Sequence, residues 1–414
     1  MPAIVLALTV TGATVGCGNS STATDGPAAG GTGGTGGTGG TAGSAGTGGT
    51  AGTGGKGGTA GSAGTGGTGG TGGTAGSAGT GGTAGTGGTG GTAGSAGTGG
   101  TAGTGGTGGT AGSAGGPSCK SLAAKCGPVG TASCCESAVV PEGTFYRSFD
   151  GVTYTDNSNP ATVSAFGLDT YEITVGRFRA FVAEGGGTQA KPPAAGSGAN
   201  PKLAASGWDA AWNASLSADT AALKAAVKCN AKFQTWTDTA GNNEQRPINC
   251  VNWFEAFAFC IWDGGRLPTE AEWNYAASGG SEQRVYPWSS PPSSTTIDEA
   301  YASYLVDANK LCFGDGVAGC TLADLIFAGT KPQGNGRWGH ADLEGNVQEW
   351  TLDWFATYPT PCSDCANLAA GSYRVVRGGC FDDIPSDLLS SHRFNYFSPS
   401  YRDNGLGARC ARTP

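Results

Sequence analysis

The sequence predicts an α+β fold that is irregular, loop-rich and supported by disulfides, preceded by a disordered Gly/Thr linker. Three observations carry this reading. The chain has 414 residues, 80 of them glycine, and its first aromatic residue is Phe145. A segment without large apolar side chains cannot bury enough surface to offset its ordering entropy, so the part before Phe145 builds no core. Beyond it stand all ten tryptophans of a chain with fourteen cysteines, yet few stretches with helical periodicity. The foldable mass is therefore roughly 280 residues, enough for one domain that buries most of its apolar surface.

Residues 1–17, "MPAIVLALTVTGATVGC", read as an export signal ending at Cys17, the residue that would carry a lipid. The expectation is an exported chain: an outer-membrane or cell-surface lipoprotein, otherwise a secreted protein. No later segment approaches the ~18 apolar residues of a membrane span, so membrane contact is expected through the lipid alone. Residues 18–117 form the linker, built from "GGTGGTGGTAGSAGT" units. About 90 flexible residues reach roughly 50 Å end to end, which suits holding a domain away from a surface.

Residues 118–136 hold Cys119, Cys126, Cys134 and Cys135 and read as a disulfide clasp. Cys134 and Cys135 are adjacent and poorly placed to bond each other. Two bridges to Cys119 and Cys126 are expected, in an order the sequence leaves open, with a zinc site as the alternative.

The folded domain is expected over residues 137–414. "YEITVGRFRAFVAEG" (171–185) spaces Val175, Phe178, Phe181 and Val182 for a first helix. "NCVNWFEAFAFCIWDGG" (249–265) is an aromatic-rich second, closed by Gly264 and Gly265. "LPTEAEWNYAASGG" (267–280) is a third, with a capping box of Thr269 and Glu272 and a stop at Gly279 and Gly280. Strands are expected in "GNVQEWTLDWF" (345–355) and "YRVVRGG" (373–379). "GWDAAWNASLSADTAALKAAVKC" (207–229) reads as a surface insertion with a short helix capped by Ser217. The net charge of -8 makes nucleic acid a poor partner, and two histidines are too few for a multi-histidine metal centre.

Several stretches occur together: "VNWFEAFAFCIWDGGRLPTEAEWNYAASGG", "YPW", "GNVQEWTLDWF", "RVVRGGCFDD" and "GLGARCAR". In this order they resemble the formylglycine-generating (sulfatase-modifying factor) family across residues 136–412. The resemblance implies the formylglycine-generating-enzyme fold, a relative of C-type-lectin-like scaffolds. It also implies a question about chemistry. Active family members oxidise a sulfatase cysteine to formylglycine with molecular oxygen and a copper ion held by two cysteines five residues apart. Soft Cu(I) prefers thiolates. In the family register, counted from Gly378, those positions here are Asp383 and Leu388. Neither is a soft ligand, so copper is not expected and no catalytic residue is assigned. Cys380 stands where the family usually has Ser and is a weak catalytic candidate.

The resemblance further implies a disulfide between Cys260 and Cys410, and calcium bound by Asn346, the Val347 backbone oxygen and Glu349. Such mixed oxygen ligands suit a hard cation. Cys312 and Cys320 share a short loop, and Cys229 and Cys250 flank another. Cys362 and Cys365 form a C-x-x-C for which a structural bridge is favoured, with redox and metal roles open. With Cys17 set aside for lipid, Cys380 is the cysteine left over: a buried lone thiol, or a partner in a pairing read wrongly.

Arg266, Arg377, Arg393, Arg409 and Arg412 are expected in structural ion pairs, with Arg393, Asn395 and Tyr396 lining any remaining pocket. His340 and His392 read as hydrogen-bonded loop residues, with a metal triad as the sharper alternative. The functional expectation is a surface binding module for a peptide or glycan that lacks copper-dependent formylglycine chemistry. The alternative is an oxidoreductase of the same family, oxidising protein cysteine through a non-standard site.

Overall fold

A computed structural model describes residues 116–120, 122–306 and 311–414, apart from the Tyr396 side chain. The export signal, the lipidation expectation at Cys17 and nearly all of the linker lie outside these described residues. None of the described helices is long and apolar enough to cross a membrane.

Two short hairpins and two sheets are set around an aromatic core. In the clasp, β1 (Lys125–Cys126) pairs antiparallel with β2 (Ala132–Ser133). Its disulfides are Cys119–Cys135 and Cys126–Cys134, which supplies the order the sequence left open. The chain then forms β3 (Ser137–Val140), β4 (Gly143–Tyr146), β5 (Pro160–Val163) and β6 (Phe166–Asp169). β4 and β5 make the second hairpin. Later come β7 (Gln348–Trp354), β8 (Arg374–Arg377), β9 (Phe394–Phe397), β10 (Leu406–Gly407) and β11 (Ala411–Arg412). One sheet runs β10-β7-β8-β9 and the other β11-β6-β3, so the last strand returns to the first part of the domain.

Four α-helices lie among the described residues: α1 (Val175–Ala183), α2 (Thr220–Ala226), α3 (Trp253–Trp262) and α4 (Glu270–Ala277). α1 spans the whole apolar pattern Val175, Phe178, Phe181 and Val182, and Thr174, in extended conformation, caps its start. α4 has the Thr269/Glu272 capping box. α3 has a second such box, Asn252/Glu255, and is buried from Trp253 through Cys260. A helix apolar on every face belongs inside.

The insertion departs from expectation in two ways. Asp219, not Ser217, caps α2 by accepting from Ala222 N, while Ser217 Oγ donates to Glu255. Nor is the insertion only surface. Trp208, Leu216, Leu223 and Val227 are buried in the main core, and Trp212 meets Trp253 edge-on at 5.0 Å. A helical pattern on a short Ala-rich segment says nothing about which apolar side chains a neighbouring aromatic helix will recruit.

Three further disulfides tie the loops: Cys229–Cys250, Cys312–Cys320 and Cys362–Cys365. A fourth, Cys260–Cys410, joins α3 to the residue before β11 across a sequence separation of 150. Charge is organised in the interior as well. Arg177 lies between Asp169 at 2.9 Å and Asp263 at 2.7 Å, and Arg412 bridges the same two carboxylates. Ser118 N donates to Asp263, which seats the clasp on this network.

Candidate functional site

β7 and β8 run antiparallel with Glu349 opposite Arg377, and the chain leaves β8 through Gly378 and Gly379. Both glycines have positive φ, 100° and 62°. A Cβ on Gly378 would lie 2.8 Å from Leu343 O, and one on Gly379 would lie 2.7 Å from Leu388 Cδ1. Glycine is required twice over, by backbone and by space. The turn docks onto the loop before β7: Gly345 N donates to Gly378 O at 2.7 Å and Phe381 N to Asn346 O at 3.1 Å.

Asp383 lies just past this turn and faces inward. Its Oδ2 accepts from Gln348 Nε2 at 2.7 Å and from Cys380 N at 3.0 Å. Burial, reinforced by Asp382 and Asp387, raises its carboxyl well above the usual range. Leu388 is fully buried among Val285, Tyr286, Tyr304 and Leu389, beneath Gly379. A buried carboxyl holding a turn and a packed isobutyl group are not the soft thiolate ligands that Cu(I) prefers. Cys380 is buried and disulfide-bonded, so it is not the lone thiol that the sequence suggested. As a half-cystine it offers no nucleophile.

The oxygen set at the start of β7 is committed in part. Arg409, fully buried, donates through Nε to both Glu349 oxygens at 2.8 Å, and Trp273 Nε1 donates to Oε2 at 2.8 Å. The remaining Arg409 donors reach the carbonyls of Asp169, Thr170, Ala341 and Asp342. Glu349 is thereby neutralised and its lone pairs are occupied. Asn346, at φ 62°, donates from Nδ2 to Glu172 Oε2 at 2.9 Å and leaves Oδ1 buried without a partner. Of the expected calcium ligands, Glu349 is thus engaged in an ion pair, while the Asn346 amide oxygen is left open to a further partner.

The side chain that organises this end of the domain is Glu270, at the first position of α4. It accepts from Arg377 Nη2 at 2.6 Å, from Arg393 Nε and Nη2 at 2.6 and 2.7 Å, and from Tyr358 at 3.0 Å. Burial alone would raise its carboxyl, but Arg393 and Arg377 outweigh burial and hold it below the usual range. Arg393 also stacks over Phe355 and Tyr358 at 4.2 and 4.4 Å. It is therefore part of a buried network and not a free pocket wall, while Asn395 is exposed on β9. The Tyr396 side chain lies outside the described residues. Sequence reasoning passed over Glu270, because a glutamate at a helix start already has a local explanation in the helix dipole.

The two histidines have separate partners. His392 Nδ1 lies 3.1 Å from Asp387 O and 3.7 Å from the Asp387 carboxylate. His340 is fully buried with Nε2 at 3.3 Å from Leu168 O, and burial pushes its imidazole down to about 3. Among the described residues no group of three His, Cys, Asp or Glu side chains could hold a metal ion. The depressed value of His340 has a thermodynamic consequence. A group whose folded value lies below its unfolded one, about 6.5, stabilises fully above that pH and loses its contribution as pH falls. Asp342 and Asp353, raised by burial to about 6 and about 7, act in the opposite sense and favour the fold as pH falls. His340→Gln should therefore reduce the stability lost between pH 6.5 and 4 by about 3 kcal/mol. Urea unfolding at several pH values measures this; parallel pH profiles for variant and wild type would refute it.

Comparison with known proteins places this geometry. Residues 123–414 match the family model described as sulfatase-modifying factor enzyme 1-like domain. The formylglycine-generating enzyme of Streptomyces coelicolor is 34% identical over 173 residues, 40% of this chain and 52% of that protein. The chain thus spans about half of that relative's length. The inactive C-alpha-formylglycine-generating enzyme 2 of Mus musculus is 28% identical over 293 residues, 66% of this chain and 84% of that protein. The solved structure of PvdO from Pseudomonas aeruginosa is 19% identical, covers 67% of this chain and 94% of its own, and has a TM-score of 0.45. The Gly-Gly turn, the β7–β8 pair and the family match over most of the folded residues lead to one statement: this chain belongs to the sulfatase-modifying factor enzyme 1-like domain family.

Proposed function

We propose that the domain is a non-catalytic member of its family, a binding module for a peptide or glycan, carried on an exported chain. The observation that carries the non-catalytic reading is the fate of the two copper positions. Asp383 is locked into the Gly-Gly turn and Leu388 is packed beneath it. The relative with the broadest of the two reported alignments is itself named inactive, which supports this reading. Export rests on the apolar stretch at residues 3–10 and on the long Gly/Thr tract that follows. Tyr146, Val152, Tyr154 and Ile384 are large apolar side chains left exposed, and with Asn395 they supply groups that a ligand could contact.

Cu(I) titration against a competing chelator tests the first part. The expected result is no stoichiometric binding to the folded domain, and a tight 1:1 complex would overturn it. Peptide and glycan arrays test the second. A ligand whose binding falls at least about tenfold (~1.4 kcal/mol) on Tyr154→Ala or Asn395→Ala is expected. Arrays with no ligand would leave a purely structural surface protein.

A further inference from the structure

The C-x-x-C of residues 362–365 is not absorbed by the reading above, and an arginine approaches one of its sulfurs. Cys362 is buried at 7% exposure, whereas Cys365 is partly exposed and Ser363 between them is open. Arg147 directs Nη1 to Cys365 Sγ at 3.3 Å. The other Arg147 donors reach backbone carbonyls, those of Asn159, Pro160 and Pro359, and its guanidinium lies 4.4 Å over the Tyr358 ring. Among the described residues no carboxylate forms an ion pair with Arg147, so its charge remains directed at the sulfur. The loop is held by hydrogen bonds as well as by the disulfide. Thr162 N donates to Cys362 O, Asp364 N donates to Thr162 O, and the Asp364 carboxylate accepts from Ser164 N and Oγ.

We propose that Cys362–Cys365 is a thiol–disulfide exchange site that oxidises paired cysteine thiols of a polypeptide, with Cys365 as the exchanging sulfur and Arg147 as its positioning residue. The step balances. A substrate thiolate attacks Cys365 Sγ, the Cys362–Cys365 bond breaks, and its electron pair leaves on Cys362 Sγ, which takes a proton from water. The second substrate thiolate attacks the substrate sulfur of the mixed disulfide, and that bond's electron pair leaves on Cys365 Sγ beside Arg147. The substrate loses two electrons and two protons and gains a disulfide, and the protein holds the dithiol. A cation beside the leaving sulfur stabilises its thiolate, and stabilising the reduced form makes the disulfide a stronger oxidant. A helix N-terminus, the usual source of such stabilisation, is absent from this loop, and Arg147 takes its place.

The charges bearing on Cys365 are Arg147 itself and Asp364, whose carboxylate turns to Ser164. Glu270, Asp353, Arg393 and Tyr358 act on Arg147 from beyond it. The test incubates the full chain in glutathione redox buffers, alkylates free thiols and maps them by mass spectrometry. Cys362–Cys365 should be half reduced at a glutathione ratio at least about tenfold more oxidising than Cys260–Cys410 requires. After selective reduction, Cys365 should alkylate with a midpoint below the ordinary value of about 8.5, and Arg147→Met should move it up while Arg147→Lys keeps it low. Resistance to reduction equal to that of Cys260–Cys410, or a wild-type midpoint at or above about 8.5, overturns the proposal. Both readings use the wild-type chain, so they stand even if a variant fails to fold. Neither depends on whether the domain binds copper or a surface ligand.

Discussion

Arg409→Met is expected to destabilise the domain by about 3–5 kcal/mol, the cost of leaving a buried carboxylate without its partner. Glu349 would keep only Trp273 Nε1, and four backbone carbonyls would lose a donor in a place water does not reach. For a domain of this size the melting temperature should fall by about 10 °C or more. The double variant Arg409→Met with Glu349→Leu should recover part of the loss, because removing both charges leaves no unpaired ion. Thermal and urea unfolding of the two variants measure the effect. A single variant within about 1 kcal/mol of wild type would show that the pair does not hold β7 to the residues before β11.

Removing the Cys260–Cys410 bridge is the second large effect. It closes a loop with a sequence separation of 150, and chain entropy then gives about 5 kcal/mol. It also joins the aromatic core helix α3 to the residue before the return strand β11. Cys260→Ala/Cys410→Ala should lose stability on that scale, whereas Cys362→Ala/Cys365→Ala, spanning 3 residues, should lose about 2 kcal/mol. Equal losses for the two pairs would contradict the loop-length account. This contrast also explains how the C-x-x-C can open without unfolding the domain.

Much of the fold was legible because local chemistry and long-range packing agreed. The capping box at Thr269, the aromatic spacing of α3 and the glycine pair at 378 and 379 each impose one local solution. The structure uses that solution in each case. Tertiary context overrode local signals elsewhere. Ser217 is a good cap by type, yet Asp219 two residues later caps α2 and frees Ser217 for Glu255. Trp208 and Leu223 read as surface insertion until α3 offered them an aromatic face. At the candidate site, the register from Gly378 singles out Asp383 and Leu388. That both turn inward depends on Gln348 and Tyr286, far away in sequence. Asn346 and Glu349 fitted a cation motif by type, and only the approach of Arg409 from the C-terminal end shows Glu349 to be an ion-pair partner. Cys380 was misread because cysteine spacing alone does not show which half-cystines meet in the fold.

The central claim is that the scaffold persists without the thiolate pair of its catalytic relatives. Oxygen-dependent turnover of a sulfatase-derived cysteine peptide, with Cu(I) supplied and the product read by mass spectrometry, tests it most directly. The account predicts unchanged cysteine peptide, or at most the peptide disulfide formed through Cys362–Cys365. Formylglycine in the product would contradict it.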